Sequence, residues 1–279
     1  STVLVMWLAC GSAPLVGADL PEGQQGIAAR FPGDAGLEQD PDVLFVERFD
    51  AGSVGDVARR WDTADGTSIM TLSPDAVPGS ADKTSLLMSH VGGQGTGGQL
   101  YRRLLPGYDQ VFARFYVKFA SDCEPIHHFG THLGGFCPPT PWPQGGAGLR
   151  PEGDKRFTTG VEPFGAEWAW DFYTYWQGMH VHGDGKYWGT PFLANVERPP
   201  VAKDRWICVE LMVKTNTPGA DTADGEQAFW IDGQLWRLDK EVVSHIGPGF
   251  PPGRWTGGWW QPDADSDSKF EGFRWRTTD

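Results

Sequence analysis

The residues best suited to chemistry are three histidines in one Gly-rich loop. His127, His128 and His132 fall within six positions, soon after a segment that carries Arg114 and Tyr116. A lone loop histidine usually makes a structural hydrogen bond, whereas three together, each titrating near neutral pH, indicate a site for proton transfer. We predict His132 as a catalytic base and His128 as a substrate-binding residue. Arg114 is the predicted catalytic partner of an anionic substrate group.

A pair of tyrosines forms the second group. Tyr173 and Tyr175 are two positions apart in AWDFYTYW, so on a strand both phenols point to the same face. Phenols in a core bond to backbone carbonyls, but on the wall of a groove they bind sugars or transfer protons. We predict both as catalytic residues.

Carboxylates form the third group and would serve a glycosidase. Such an enzyme needs two carboxyl groups about 5 Å apart for retention, or about 6.5–9.5 Å apart for inversion. If Glu167 and Asp171 share a strand, they stand about 13 Å apart, which suits neither mechanism. A cross-strand partner such as Glu210, which we also predict to bind substrate, keeps the alternative open. The full set is Glu162, Glu167, Asp171, Glu210 and Asp232.

Alternating apolar residues predict the strands that must position these groups. In 111–119 and 204–214 every second side chain is apolar, and most of those between are aromatic or charged. Further strands are predicted at 43–49, 169–176, 226–236 and 269–276, and short helices only near 54–60 and 239–245. The predicted core faces comprise Val111, Ala113, Phe115, Val117 and Phe119 in the first segment, and Ile207, Val209, Leu211 and Val213 in the second.

Many short strands with Gly- and Pro-rich turns predict an all-β fold. We expect an antiparallel β-sandwich or jelly roll of the concanavalin A-like lectin and glucanase type. The 279 residues suit one such domain, placed at 43–279. Among the 14 tryptophans, we predict Trp142 and Trp188 as sugar-stacking side chains and the others mainly as core residues. Tyr116 is a further predicted substrate-binding residue.

Charge limits the classes of partner. The formal net charge of −13 argues against nucleic acid and anionic membrane surfaces, both of which favour a basic face. A local basic patch can still coexist with an acidic whole. The predicted partner is a polysaccharide, and the protein is predicted to be a monomer without a membrane span. Basic residues in 101–156 are Arg102, Arg103, Lys118, Arg150, Lys155 and Arg156.

Residues 1–18 resemble part of a secretory signal peptide. An apolar run is followed by small residues, with Val16-Gly17-Ala18 as a small-x-small cleavage site. We therefore predict secretion, to the extracellular space or the periplasm, and a linker or irregular segment at 19–42. Lipoprotein anchoring through Cys10 is a weaker alternative, because the residues before it only partly fit that signal.

Cysteine and acidic patterns bear on disulfides and metals. Cys123 and Cys137 lie 14 residues apart and could form a disulfide in an exported protein. No Cys/His spacing matches a structural zinc site. The Asp-rich runs 221–226 and 263–267 could hold a structural calcium, but neither is an EF-hand loop and a solvated turn explains each better. We predict no cofactor and no catalytic metal.

Three segments resemble polysaccharide lyases of the family 14 type. VFARFYVKF with HHFGTHLGGF resembles that family's strand and its Gly-Lys-Leu-Pro-Gly loop, and DFYTYW resembles its Tyr-x-Tyr strand. RWICVELMVKTNTPGADTADGEQAFWIDG resembles its trailing strand pair, so the likeness covers roughly 105–236, about half the chain. It implies a secreted β-jelly roll that cleaves polyuronates such as alginate or glucuronan, with Tyr173 and Tyr175 at the site. His132 stands where the family loop has lysine.

Cleavage of a uronate chain by β-elimination needs a partner for the carboxylate, a base for the C5 proton and an acid for the leaving O4. Arg114 or a protonated histidine would serve the carboxylate. Tyr173 or Tyr175 would act as acid, base or both, and His132 is the alternative base.

Two other functions remain open at this point. A glycoside hydrolase acting on a neutral β-glucan would need two groove carboxylates within catalytic distance. A non-catalytic carbohydrate-binding protein would show an aromatic face without convergent titratable groups. Fold alone does not choose among the three.

Overall fold

Antiparallel β-strands are the main regular structure of the described residues. The structure, a computed structural model, describes residues 2–8, 20–89, 97–104, 108, 110–126, 128–136, 147–151, 156–176, 178–194, 197–214, 226–236 and 267–271. The strands in chain order are β1 Thr2–Leu8, β2 Val43–Glu47, β3 Thr63–Asp65, β4 Met70–Ser73, β5 Ser85–Met88, β6 Gln99–Leu104, β7 Gln110–Val117, β8 His132–Phe136, β9 Arg156–Phe164, β10 Ala169–Tyr175, β11 Ile207–Lys214, β12 Glu226–Ile231, β13 Gln234–Trp236 and β14 Asp267–Glu271.

Two six-stranded sheets carry the fold. Sheet A has the strand order β13-β12-β11-β7-β1-β2, and sheet B has the order β10-β9-β8-β14-β6-β3. Strands β4 and β5 form a separate antiparallel pair. Every pairing within the two large sheets is antiparallel. The predicted all-β antiparallel sandwich is therefore confirmed.

The core lies between the two sheets, and alternate residues of β7 and β11 contribute to it. Phe172 of sheet B packs edge-to-face on Phe229 of sheet A, with ring centroids 5.0 Å apart. Beside them the Thr159 hydroxyl of β9 donates to the Gln227 side chain of β12 at 2.8 Å. Both predicted core faces are confirmed, because Val111, Ala113, Phe115, Val117, Phe119, Ile207, Val209, Leu211 and Val213 are all buried.

Other predicted elements are confirmed with shifted ends. The strand predicted at 226–236 is a hairpin, β12 and β13, joined by a two-residue turn at Asp232-Gly233 in which both residues have positive φ. The helix predicted near 54–60 is α1, Val54–Ala58. The strand predicted at 269–276 begins earlier, as β14, and the helix predicted at 239–245 lies outside the described residues. No helix in the described ranges is both long and apolar enough to cross a membrane.

The segment that precedes β2 covers the outer face of sheet A. Its 3₁₀ turns, Ala28–Arg30, Pro32–Asp34 and Leu37–Gln39, bring buried Leu37 against partly buried Phe112 of β7. The described part of the segment predicted at 19–42 therefore packs on this sheet. Strand β1 lies between β7 and β2, and the signal peptide that includes these residues stays a prediction.

Candidate functional site

A cluster of titratable side chains lies on the outer face of sheet B. His132 of β8 and Tyr173 of β10 are both in register with Gly160 of β9, so the three residues form one row across the sheet. Their strand neighbours Leu133, Val161 and Phe172 turn inward to the core. Because side chains alternate along each strand, the row points away from the space between the sheets. Tyr173 is nevertheless buried, with 7% of its surface exposed, and packs with other buried hydrophobic residues.

Glu162 joins two of the predicted histidines. Its Oε1 lies 3.0 Å from His128 Nδ1 and its Oε2 lies 3.2 Å from His132 Nε2. The carboxylate side chain is 1% exposed, whereas the side chains of His128 and His132 are 15% and 11% exposed. A buried carboxylate therefore supports two imidazoles that retain access to solvent.

This contact fixes which ring nitrogens carry protons. When Glu162 is ionised, its oxygens only accept hydrogen bonds, so His128 Nδ1 and His132 Nε2 are then both donors. In a neutral imidazole the second nitrogen then carries the lone pair. The arrangement presents His128 Nε2 and His132 Nδ1 as the basic atoms, and the carboxylate stabilises either ring when it becomes cationic.

The tyrosine pair completes the cluster. The Tyr173 ring lies 5.0 Å from the His128 ring and 5.6 Å from the Tyr175 ring, edge-on in both cases. The two phenol oxygens are 3.4 Å apart. Burial raises the pKa of Tyr173 well above its usual value, and the neighbouring Tyr175 raises it further. Tyr173 is therefore a neutral phenol at any ordinary pH and can donate a proton.

Two glycines make room for these rings. A Cβ at Gly160 would lie 2.8 Å from His132 Cγ and 2.7 Å from the carbonyl oxygen of Thr131. A Cβ at Gly189 would lie 2.5 Å from two ring carbons of Tyr173. All of these distances are shorter than a Cβ tolerates, so glycine is needed at 160, between His132 and Tyr173 in the row, and at 189, against the Tyr173 ring.

Three predicted site residues lie on the other side of the sandwich, which corrects their place in the site. Arg114 and Tyr116 of β7 and Glu210 of β11 alternate with core residues of sheet A, so they point to the outer face of that sheet. Arg114 is buried there and forms an ion pair with Asp34. A guanidinium in this position does not reach a substrate at His132.

The surroundings of Arg114 indicate a structural role. Glu210 is its direct cross-strand neighbour, and burial raises the pKa of Glu210. Burial also raises the pKa of Tyr116, over whose ring the Arg114 guanidinium lies at 5.7 Å. These groups sit beneath the 3₁₀ turn that supplies Asp34 and stabilise the segment over sheet A.

Of the two predicted sugar-stacking tryptophans, one falls in the described chain. Trp188 is half-buried, and its indole N–H donates to Asp184 at 2.9 Å. It directly precedes Gly189, whose backbone packs on Tyr173. Trp188 therefore lies beside the cluster, as a substrate-binding residue must. Trp142 and His127 lie outside the described residues.

The described carboxylates offer a poor glycosidase pair. Asp171 is the direct cross-strand neighbour of Glu162, but it is fully buried and accepts backbone hydrogen bonds from Phe172 and Leu193. Arg198 contacts both Asp171 and Glu167. The turn residue Glu167 lies outside β10, so it does not share a strand with Asp171.

Some of the cysteine and acidic residues considered for disulfides and metals lie within the described residues. Cys123 is a buried free cysteine, and Cys137 lies outside the described residues. Burial raises the pKa of Cys208 to about 12, so this thiol stays protonated. Within the described ranges no three His, Cys, Asp or Glu side chains are arranged to hold a metal ion. The Asp-rich runs fall almost entirely outside those ranges, so a structural calcium stays a prediction.

Comparisons with known proteins give structural similarities only. No protein-family model matches the chain, and no curated protein matches it. A PL-14 alginate lyase from Aplysia kurodai superposes with a TM-score of 0.48 at 15% identity, over 77% of this chain and 89% of that one. Its family is the one that the sequence motifs resemble.

Two further solved structures are similar to the same extent. The alginate lyase vAL-1 from Chlorella virus gives a TM-score of 0.44 at 14% identity, over 80% of this chain and 97% of that one. The alginate lyase Aly36B gives 0.45 at 15% identity, over 83% and 96%. Because every TM-score lies below 0.5, we base the functional proposal on the geometry of this chain's own residues.

Proposed function

We propose that this protein is a polysaccharide lyase that cleaves uronate-containing chains by β-elimination. The observation that carries the proposal is the contact of one buried carboxylate, Glu162, with two partly exposed imidazoles beside the phenols of Tyr173 and Tyr175. Elimination needs a base and an acid close together, and this cluster supplies both. The sequence motifs of the family 14 type agree with this reaction.

His132 is the proposed base. Its Nε2 is held by Glu162, so Nδ1 of the neutral ring takes the C5 proton of the uronate. The electron pair of that C–H bond forms the C4–C5 double bond, and the bond from C4 to O4 breaks. Glu162 stabilises the imidazolium that results, as a carboxylate does for any base that becomes cationic.

Tyr173 is the proposed acid. The leaving O4 takes the phenol proton as the C4–O4 bond breaks, and the raised pKa of Tyr173 keeps the phenol protonated until that step. Tyr175 lies 3.4 Å away, phenol oxygen to phenol oxygen, and orients that proton. The proton on His132 and the proton vacancy on Tyr173 are then exchanged with solvent. His128 in its cationic form would face the substrate carboxylate in place of Arg114.

A glycosidase is the second candidate function, and the Glu162–Asp171 neighbours are the pair it would use. Both carboxylates are already committed, Glu162 to two histidines and Asp171 to backbone amides and Arg198. Glu162 is 1% exposed and Asp171 is fully buried, whereas His132 is 9% and Tyr173 is 7% exposed. A binding protein without activity would not need convergent titratable groups, so the cluster favours an enzyme.

Incubation of the purified protein with a panel of polyuronates and neutral β-glucans tests the proposal. Ultraviolet absorbance of the new double bond and the number of reducing ends are followed together. We expect both to rise on a polyuronate such as alginate or glucuronan. Reducing ends without absorbance would mean hydrolysis, and no signal on any polymer would favour the binding protein.

A further inference from the structure

A basic and aromatic surface lies next to the cluster, on two loop segments that no proposed catalytic step uses. We call residues 147–151 and 180–188 the ledge. The Tyr187 amide donates to the Gly148 carbonyl at 3.2 Å, and the two residues form an isolated antiparallel bridge. A tight turn closes the second segment, where the His182 amide donates to the Lys186 carbonyl at 2.8 Å.

The ledge is attached to the strand that carries the tyrosines. Directly after it, Gly189 packs on the Tyr173 ring. The Thr190 amide then donates to the Thr174 carbonyl of β10 at 2.9 Å, and the reverse bond is 3.3 Å long. A sugar unit bound on the ledge would therefore lie close to a sugar at the cluster.

Its two cations, Arg150 and Lys186, each lie over an aromatic ring. The Arg150 guanidinium lies 5.7 Å from the Tyr187 ring centre, and the Lys186 ammonium lies 5.7 Å from that of Trp188. Neither makes an ion pair with any carboxylate in the described part of the chain, unlike the structural Arg60. A cation over a ring remains available to an anionic ligand, which replaces only a weak exposed contact.

The acidic residue of the ledge is already occupied. Asp184 accepts hydrogen bonds from the Trp188 indole at 2.9 Å and from the Lys186 amide at 3.0 Å. The Lys186 amide, the largest influence, lowers the pKa of Asp184 together with Trp188. It therefore fixes the orientation of the indole ring. The charge of Lys186 also contributes to the lowered pKa of Asp184, but within the described residues Asp184 forms no ion pair with Lys186 or Arg150.

Apolar surface accompanies the charge. Leu149 is 64% exposed and Val181 is 57% exposed, two of the three large hydrophobic residues exposed among those described. Exposed apolar and aromatic side chains beside cations that form no close ion pair in the described residues match a uronate, which has an apolar ring face and one carboxylate. The net charge of −13 opposes binding of such a polymer elsewhere on the surface.

We propose that the ledge is a binding subsite for a uronate unit of the polysaccharide, adjacent to the unit that is cleaved. Arg150 and Lys186 bind its carboxylate, and Trp188 packs against its ring. The inference rests on the proposed function for the identity of the polymer, and it assigns to the ledge the selection of acidic over neutral chains.

Affinity for matched polymers tests the ledge. The full chain carrying Tyr173→Phe, which spares the substrate, is titrated with polyglucuronate, with the same polymer after carboxyl reduction, and with a sulfated polymer that lacks uronate. Adding Arg150→Gln and Lys186→Gln should raise the Kd for polyglucuronate about tenfold, since each exposed charge contact contributes modestly. The neutral reduced polymer should show no such change.

A matched control has the same change in charge elsewhere. Arg59 on α1 and Lys83 before β5 are exposed, and their double Gln variant should keep the parental Kd and the parental activity. In the active chain, the Arg150→Gln/Lys186→Gln variant should raise KM for polyglucuronate about tenfold, whereas the control should not.

Two results would overturn the ledge: an unchanged Kd for polyglucuronate in the Arg150→Gln/Lys186→Gln variant, or an equal loss on the sulfated polymer, which would mean that charge alone is recognised. The proposed function fails separately. If no polymer is cleaved by elimination, yet binding of polyglucuronate still depends on Arg150 and Lys186, the proposed binding subsite is supported and the proposed lyase activity is not. If elimination occurs and binding is independent of both residues, only the ledge falls.

Discussion

His132 Nε2 lies 3.2 Å from Glu162 Oε2, although 30 positions of sequence separate the two residues. The contact joins neighbouring strands β8 and β9 on the outer face of sheet B. Because the carboxylate also holds His128, it positions two imidazoles at once. Glu162 is therefore a positioning residue, and the histidines are the groups that meet the substrate.

Replacing Glu162 by Gln should lower kcat by about 100-fold or more, the usual contribution of an oriented general base. An amide cannot accept from both imidazoles as a carboxylate does, and it does not stabilise an imidazolium. The acid limb of the kcat profile should move to lower pH as well, because the base loses a negative neighbour. Glu167→Gln, at an exposed turn position, is the matched control. Parental kcat and pH profile in Glu162→Gln would contradict the assignment.

Tyr173→Phe should lower kcat by about 100-fold to 10,000-fold while KM changes little, because it removes the proton that the leaving oxygen needs. Since burial raises the pKa of Tyr173, its ionisation should not limit the parent enzyme on the alkaline side below about pH 10. Steady-state kinetics across pH measure both effects. The control is Thr174→Val, whose hydroxyl faces the core. That change should cost about 1 kcal/mol of stability and leave kcat near parental.

Arg114→Met should lower the free energy of unfolding by about 3–5 kcal/mol, because it leaves Asp34 and Glu210 without their buried cation. Activity of the folded fraction should persist, since Arg114 lies on the opposite face from His132. Denaturant unfolding and kcat, measured on the same preparation, separate the two effects. If the Arg114→Met variant is folded but its kcat is reduced more than tenfold, Arg114 has a role in catalysis.

Asp171 should make the protein less stable as the pH rises from about 4 to about 6. Burial raises its pKa from 3.8 to about 6, against the opposing backbone hydrogen bonds and Arg198. A folded-state pKa above the unfolded one means that the folded state binds more protons in this window, so stability is lost as the carboxyl ionises. The parent should therefore lose up to about 3 kcal/mol relative to Asp171→Asn between these pH values. If the stability of the parent relative to Asp171→Asn instead increases with pH, the hydrogen bonds to the Asp171 carboxylate outweigh the effect of burial.

Much of the sandwich could be predicted because period-two patterns report directly on burial. The alternation in 111–119 and 207–213 gave the correct core faces, since each strand has one apolar side. The same rule placed Tyr173 and Tyr175 together on one face. It needed no knowledge of which strands are neighbours.

Arg114 shows where that rule stops. The alternation along β7 correctly predicts that Arg114 lies on an outer face. A sandwich has two outer faces, however, and β7 belongs to the sheet opposite β8, β9 and β10. No local pattern distinguishes the two faces. Nor does the sequence show that the irregular segment around Asp34 covers one of them.

From the sequence alone, Glu162 is a candidate only as a hydrolase carboxylate. The side chains that it contacts depend on the register between neighbouring strands. The β8–β9 pairing sets His132 opposite Gly160, two residues from Glu162. Nothing in either segment specifies that register locally. The sequence holds one weak indication of the site. Glu162 lies two positions from Gly160, and a glycine within a strand indicates that another group approaches the backbone closely.

The central claim is that the chain breaks a uronate polymer by elimination and not by hydrolysis. The most direct test is to digest glucuronan or alginate in heavy-oxygen water and to weigh the products by mass spectrometry. Elimination conserves the mass of the polymer and adds no solvent oxygen, so we predict unsaturated, unlabelled oligosaccharides whose yield falls with Tyr173→Phe and Glu162→Gln. Saturated products that carry solvent oxygen would contradict the account.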